Sequence, residues 1–178
     1  MTTTTIWARH AQLPIGMTAK VRITIAGDRI RAVERAEPEP GDIRFAVVLP
    51  GIANGHSHAF HRALRGRVQD TRGNFWTWRD QMYGIARTLT PESYFALAHG
   101  VFVEMVCSGF TAVGEFHYLH HGEDGQSYDN PNAMGEAVIA AAQAAGIRLT
   151  LLDTLYLSGG LAGAGHLPLD PVQRRFAD

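Results

Sequence analysis

The sharpest chemical signal is the segment Leu49-Pro50-Gly51-Ile52-Ala53-Asn54-Gly55-His56-Ser57-His58, which follows the apolar run Phe45-Ala46-Val47-Val48-Leu49. Residues two apart on an extended segment project to one side, so the imidazoles of His56 and His58 can meet at a single cation. Neutral imidazole nitrogens are good donors to a divalent metal such as zinc. A bare His-x-His pair also occurs as a structural, hydrogen-bonded pair. Here the strand before it and the Pro-Gly turn favour metal ligation at a strand's C-terminal end. His61, three residues further on, is open to three readings: a third ligand, a substrate contact or a surface residue.

A second cluster is Glu115-Phe116-His117-Tyr118-Leu119-His120-His121, which closes the strand-like stretch Thr111 to Phe116. Strand alternation puts Val113, Glu115 and His117 on one side and Phe116 and Tyr118 on the other. His120 and His121 precede the polar stretch Gly122-Glu123-Asp124-Gly125 and are read as solvent-exposed. His10, His99 and His166 have no partner pattern. Cys107, the only cysteine, falls inside a helical pattern, so an intrachain disulfide is excluded and structural burial is its expected role.

The elements that must position these groups can be read from periodicity. From about Thr4 to Ala46 the chain reads as short strands, with Val21 to Ile25 alternating and Gly27-Asp28 as a turn; this predicts a small β segment over 1–46. Phe45 to Leu49 is continuously apolar and reads as a buried parallel strand. Phe75 to about Arg87 predicts a helix, and Arg79 reads by itself as a surface helix arginine. The next helix has Thr90 as N-cap and Pro91 at its first position; Tyr94, Leu97, Val101 and Met105 form its apolar face, and Gly109 ends it. Asn130 and Pro131 open another, which Gly146 closes before a strand from Ile147 to Leu155. Strand, helix, strand, helix, strand implies parallel βαβ units, placed at 47–178.

A complete (β/α)8 barrel needs roughly 250 residues, so a chain of 178 is expected to hold an incomplete one. Asp170, Pro171 and Gln173 look like the start of a further helix close to the last residue, Asp178, and the chain reads as the front portion of a longer polypeptide. Sixteen basic and seventeen acidic residues without a basic block leave no electrostatic footprint for nucleic acid. The sequence has no apolar run of membrane-span length and no signal-like N-terminus, so a soluble cytoplasmic protein with no membrane partner is expected.

Three segments together carry a resemblance: Leu49-Pro50-Gly51 with His56-Ser57-His58-Ala59-Phe60, then Phe75-Trp76-Thr77-Trp78-Arg79 with Met82-Tyr83, then Glu115 to His121. They resemble the formimidoylglutamate deiminases of the amidohydrolase superfamily, over nearly the whole chain. His-x-His is general to that superfamily, whereas the other two segments are more specific. The resemblance implies a (β/α)8 metal-dependent hydrolase barrel preceded by small β-sandwich strands, one divalent metal (usually Zn2+) and a place in histidine degradation. It also implies the small-molecule substrate N-formimino-L-glutamate and a homodimer in the full-length protein. By position, His56 and His58 would be metal ligands, Arg79 would hold a substrate carboxylate, and His61 and Tyr118 would contact substrate. The family commonly shows glutamine where this chain has His61. The remaining ligands and the proton-shuttling groups are expected from later strands, so the chain alone should be inactive. Alternatives are a deaminase of another amidine or aminated ring, or a non-catalytic metal-binding fragment.

Overall fold

The computed structural model describes residues 2–68, 73–163 and 165–177. The chain divides into two compact units at Gly51 and Ile52. In the first unit, β1 (Thr3–Leu13) and β2 (Gly16–Ala26) pair antiparallel, and β2 pairs antiparallel with β3 (Arg29–Arg35). Gly27, at the β2–β3 turn expected from the sequence, has φ +62°, a conformation glycine adopts without a Cβ penalty. The alternating residues Ala8, Ala11, Val21 and Ile23 form a small core. Arg22 donates to both carboxylate oxygens of Asp42, and burial of this fork is offset by the charge-assisted bonds it makes.

The apolar run Phe45 to Leu49 departs from its reading as a buried barrel strand. It lies in β4 (Ile43–Val48), which pairs parallel with β1 and completes a sheet of order β3-β2-β1-β4. Phe45 and Val47 are exposed there. The boundary expected after Ala46 therefore falls inside β4. An apolar run reports burial in some context without naming the partner strand, and here backbone pairing with β1 claims it.

In the second unit, the first strand is β5 (Ile52–Ser57), followed by a short 3-10 helix over Ala59–Leu64 and by α1 (Phe75–Thr88) and α2 (Pro91–Cys107). Next come β6 (Phe110–His117), α3 (Ala133–Ala145) and β7 (Arg148–Asp153). The sheet order is β5-β6-β7, all parallel, with helices as the crossovers. A short hairpin, β8 (Gly160–Ala162) with β9 (Gly165–Leu167), was not anticipated.

The capping chemistry explains the helix boundaries. Thr90 Oγ1 accepts from Ser93 N and Ser93 Oγ accepts from Thr90 N, a reciprocal box that starts α2 with Pro91 at the first position. Asn130 caps nothing helical: its Oδ1 accepts from Asn132 N, so α3 begins two residues later than its sequence suggests. Gly146 ends α3 at φ +78°. Asp170 and Gln173 do form the expected box, but the helix they open is one 3-10 turn, Gln173–Phe176. Cys107, at the last position of α2, is exposed rather than buried because it lies off the Tyr94, Ala98, Val101 and Phe102 face. Among the described residues, no helix is long and apolar enough to cross a membrane.

The core of this unit gathers Phe60, Tyr94, Phe102, Met134, Val138 and Phe176 between helices and sheet; each such side chain stabilises by about 1.5–3 kcal/mol on burial. Arg175 is 1% exposed, yet its guanidinium donates to the carbonyls of His121, Ala86 and Leu89. Its own carbonyl accepts from His120 N and His121 N. Arg175→Met is therefore expected to lower stability by about 2–4 kcal/mol, because three carbonyls lose a charged donor. Urea unfolding followed by circular dichroism measures this, and an unchanged midpoint would show that the carbonyls find water instead.

Candidate metal centre

The strand that carries the His-x-His pair is made of small and polar residues, Ile-Ala-Asn-Gly-His-Ser. The glycine that its close approach calls for is on the neighbouring strand: a Cβ at Gly114 of β6 would lie 3.1 Å from Gly55 O, which leaves little space for a side chain at that position of β6. The β5–β6 register shifts between Asn54 and Ser57, which bends the end of β5. Ser57 falls opposite Glu115, while His56 and His58 turn to the Phe116 side.

His58 Nδ1 lies 3.0 Å from Phe116 O. A carbonyl only accepts, so Nδ1 holds the proton and Nε2 is left with its lone pair. That Nε2 lies 3.1 Å from His56 Nε2. Two imidazole nitrogens facing one another need a proton or a cation between them, and nitrogens bound to one tetrahedral zinc lie roughly 3.3 Å apart. The donor set present fits a divalent metal. Burial, opposed by the Phe116 hydrogen bond and reinforced by neighbouring His56, pulls His58 below the ordinary histidine range, which keeps it neutral as a ligand must be.

His61 and Tyr118 join this group. His61 Nε2 lies 2.8 Å from the Tyr118 hydroxyl, and the His58 ring packs on both. Burial first, then the nearby His58 and His56, pushes His61 down to about 4, so it is neutral near pH 7. Tyr118 is 5% exposed and burial raises its hydroxyl well above the usual range. Arg79 is placed apart. Its guanidinium lies over the rings of Trp76 and Tyr83, and it lines a separate cavity of about 450 Å³ with Arg87 and Asp170. Arg79 Nε is buried with no hydrogen-bond partner among the described residues. Tyr83, beneath that guanidinium, packs on Phe176, which packs in turn on Tyr118, so aromatic rings connect the arginine to the histidine group.

Two residues of the second cluster correct their sequence reading. His121 is buried and His120 is largely buried, because the Arg175 turn closes over the loop that carries them and bonds both backbone amides. Glu115 is buried and accepts from Ala59 N, which pins the chain just after His58. Sequence reasoning gave it no role; its place opposite Ser57 in the parallel register is the signal that would have supplied one. Asp153 was also missed. It ends β7 directly beside His117, a placement that only strand pairing reveals.

The amidohydrolase family model matches residues 47–158. Formimidoylglutamate deiminase of Pseudomonas aeruginosa is 42% identical over 96% of this chain, which covers 38% of that protein. The 8-oxoguanine deaminase of the same species is 30% identical over 47% of the chain. A crystal structure of an amidohydrolase from Brucella melitensis superposes with TM-score 0.89 at 44% identity, over 98% of this chain and 39% of that one. The chain thus spans about two fifths of the length of these relatives. A guanine deaminase from C. acetobutylicum (TM-score 0.63, 16% identity) shares the fold. The mixed α/β units are part of a (β/α)8 hydrolase barrel, as the sequence led us to expect.

Burial raises the Glu115 carboxyl above its usual range, against the opposing bonds from Ala59 and Ser57. A folded-state value above the unfolded one favours folding while the group is protonated and loses that contribution as pH rises through the folded value. In metal-free protein the stability of Glu115→Gln relative to the parent should accordingly be greater at pH 7 than at pH 4. Glu115→Ala should be about 2–4 kcal/mol less stable at either pH, through a cavity and an unpaired Ala59 N–H. Parallel pH-dependent melts of both variants check the sign.

Proposed function

Because this chain belongs to the amidohydrolase family, we propose that it serves the metal-dependent hydrolytic deamination of N-formimino-L-glutamate to N-formyl-L-glutamate and ammonia. It would do so in histidine degradation, in the cytoplasm, with later strands supplying the residues this chain lacks. The observation that carries the reading is the 3.1 Å approach of two imidazole Nε2 atoms, with one tautomer set by the Phe116 carbonyl. The 42% identity to a formimidoylglutamate deiminase supports the substrate.

In the reaction, water adds to the formimino carbon, that carbon's bond to the terminal nitrogen breaks, and the nitrogen leaves with the protons as ammonia. Zinc held by His56 and His58 would supply Lewis acidity that makes water nucleophilic near neutral pH. The chain's own residues orient and bind. His58 is aimed by Phe116 O, and Glu115 fixes the backbone immediately after it. Neutral His61 and the Tyr118 hydroxyl form one hydrogen-bonded pair beside the His58 ring, able to hold a polar group of the substrate at a fixed distance from the histidines. Arg79, with a buried Nε that has no partner among the described residues, suits a carboxylate, since the fork fixes orientation as well as charge. Two histidines fall short of the three protein ligands usual for catalytic zinc, so the chain by itself would not turn over substrate.

One observation favours a second reading. Arg79 lines a cavity that contains neither histidine, as it would in a deaminase of a neutral aminated ring that needs no anion anchor. Arg79→Ala in the complete protein separates the two. On formiminoglutamate it is expected to lower kcat/KM roughly 30- to 1000-fold with metal content unchanged, whereas His56→Ala loses metal and activity together. Steady-state kinetics with metal analysis measure both, and a kinetically silent Arg79→Ala would favour the ring deaminase.

A further inference from the structure

The face of the sheet opposite His56 and His58 holds a second group of donors. His117 alternates with Phe116 along β6 and so points to the helix-covered side, where its ring stacks on Tyr94 of α2 and lies near Gly135 of α3, at which a Cβ would come within 3.5 Å of its Nε2. Asp153 is its register partner on β7, and His120 packs edge-on against the His117 ring. The ligand atoms of His117, His120 and Asp153 lie within 4.8 Å of one another. They line a cavity of about 260 Å³ shared with Asn132 and Glu136.

Two features of this group ask for a ligand. His117 is 1% exposed, and neither of its ring nitrogens has a hydrogen-bond partner among the described residues. A buried imidazole with both nitrogens unpaired is costly unless something in the cavity serves it. His120 Nε2 lies 2.8 Å from Thr154 O, so that nitrogen donates and Nδ1 is left as an acceptor. Yet Nδ1 faces Asp153 Oδ1 at 3.8 Å, an acceptor opposite a carboxylate. Burial and the neighbouring His120 push His117 down to about 3, which leaves it neutral and able to ligate.

We propose that His117, His120 and Asp153 form a divalent metal site distinct from the His56–His58 pair, on the opposite face of the sheet. Two imidazoles and one carboxylate make a donor set for a first-row divalent ion, zinc foremost, with a fourth position open to water or to Glu136. Donors on one tetrahedral ion lie roughly 3.3 Å apart, so no pair in the group closes by more than about 1.5 Å on binding, within reach of side-chain rotation. The ion bridges the end of β6, the end of β7 and the loop after β6 beneath the start of α3. Its role there is to tie those elements together and not to meet substrate.

The test is Co2+ titration of the full chain carrying His56→Ala and His58→Ala, which removes the first pair. Visible d–d absorption should report one remaining equivalent, and Zn2+ should displace it and raise the melting temperature. Adding Asp153→Asn, an exposed position whose change leaves the core intact, should weaken Co2+ binding by about tenfold or more and abolish the Zn2+-induced shift. Adding His117→Gln should do the same, with circular dichroism reporting whether the variant is folded. No bound Co2+ after removal of the first pair overturns the proposal. So does binding that Asp153→Asn leaves unchanged, which would place the Co2+ elsewhere on the protein.

Discussion

The hydrogen bond from His58 Nδ1 to Phe116 O is the interaction on which the candidate centre depends. It joins the residue just after β5 to the end of β6, sets which nitrogen of His58 carries the proton, and thereby aims the other nitrogen at His56. The bond exists only because β6 runs parallel to β5 in a particular register, and that register favours a glycine at position 114, where a Cβ would lie 3.1 Å from Gly55 O. β5 itself is weakly apolar, so its stability is borrowed from the core around Phe60 and Val113.

Period-two alternation at the end of β6 then divides consecutive residues between two environments. Glu115 reaches to Ala59 N, the Phe116 carbonyl serves His58, and His117 turns beneath α3. A one-residue slip would exchange all three, placing a phenylalanine against α3 and a carboxylate among the histidines. Arg175 protects the segment that follows. By bonding the His120 and His121 amides through its carbonyl and the His121 carbonyl through its side chain, it holds the loop against the core.

How much of this was legible in the sequence depends on the range of the interaction. Local chemistry reads well: the Thr90 cap, Pro91, Gly146 and the Asp170–Gln173 box each act within a few residues and are found where their types predict. Partner choice reads poorly. Phe45 to Val48 looks like a buried barrel strand and pairs with β1, while the extended segment that follows it is the strand that joins the parallel sheet. The approach of His56 to His58 was legible because both residues lie on one short segment. Their proton positions were not, since the carbonyl that sets them is 58 residues away in the chain. Glu115 and Asp153 escaped for the same reason: neither has a local motif, and only cross-strand register brings each to its neighbour.

The two histidine groups share one construction. In each, a backbone carbonyl holds one imidazole nitrogen, Phe116 O for His58 and Thr154 O for His120, so that the other nitrogen faces a second acceptor. The carbonyls belong to the ends of neighbouring strands, where the ladder runs out and an acceptor is left without a strand partner. Parallel strands therefore generate such sites as a by-product of ending: each strand end offers a spare carbonyl, and any histidine within reach is locked into one tautomer by it. A proton can fill the resulting gap between acceptors. A divalent cation fills it with more charge and serves further donors at once, which is why strand ends that collect histidines and carboxylates in this way favour metals over ion pairs.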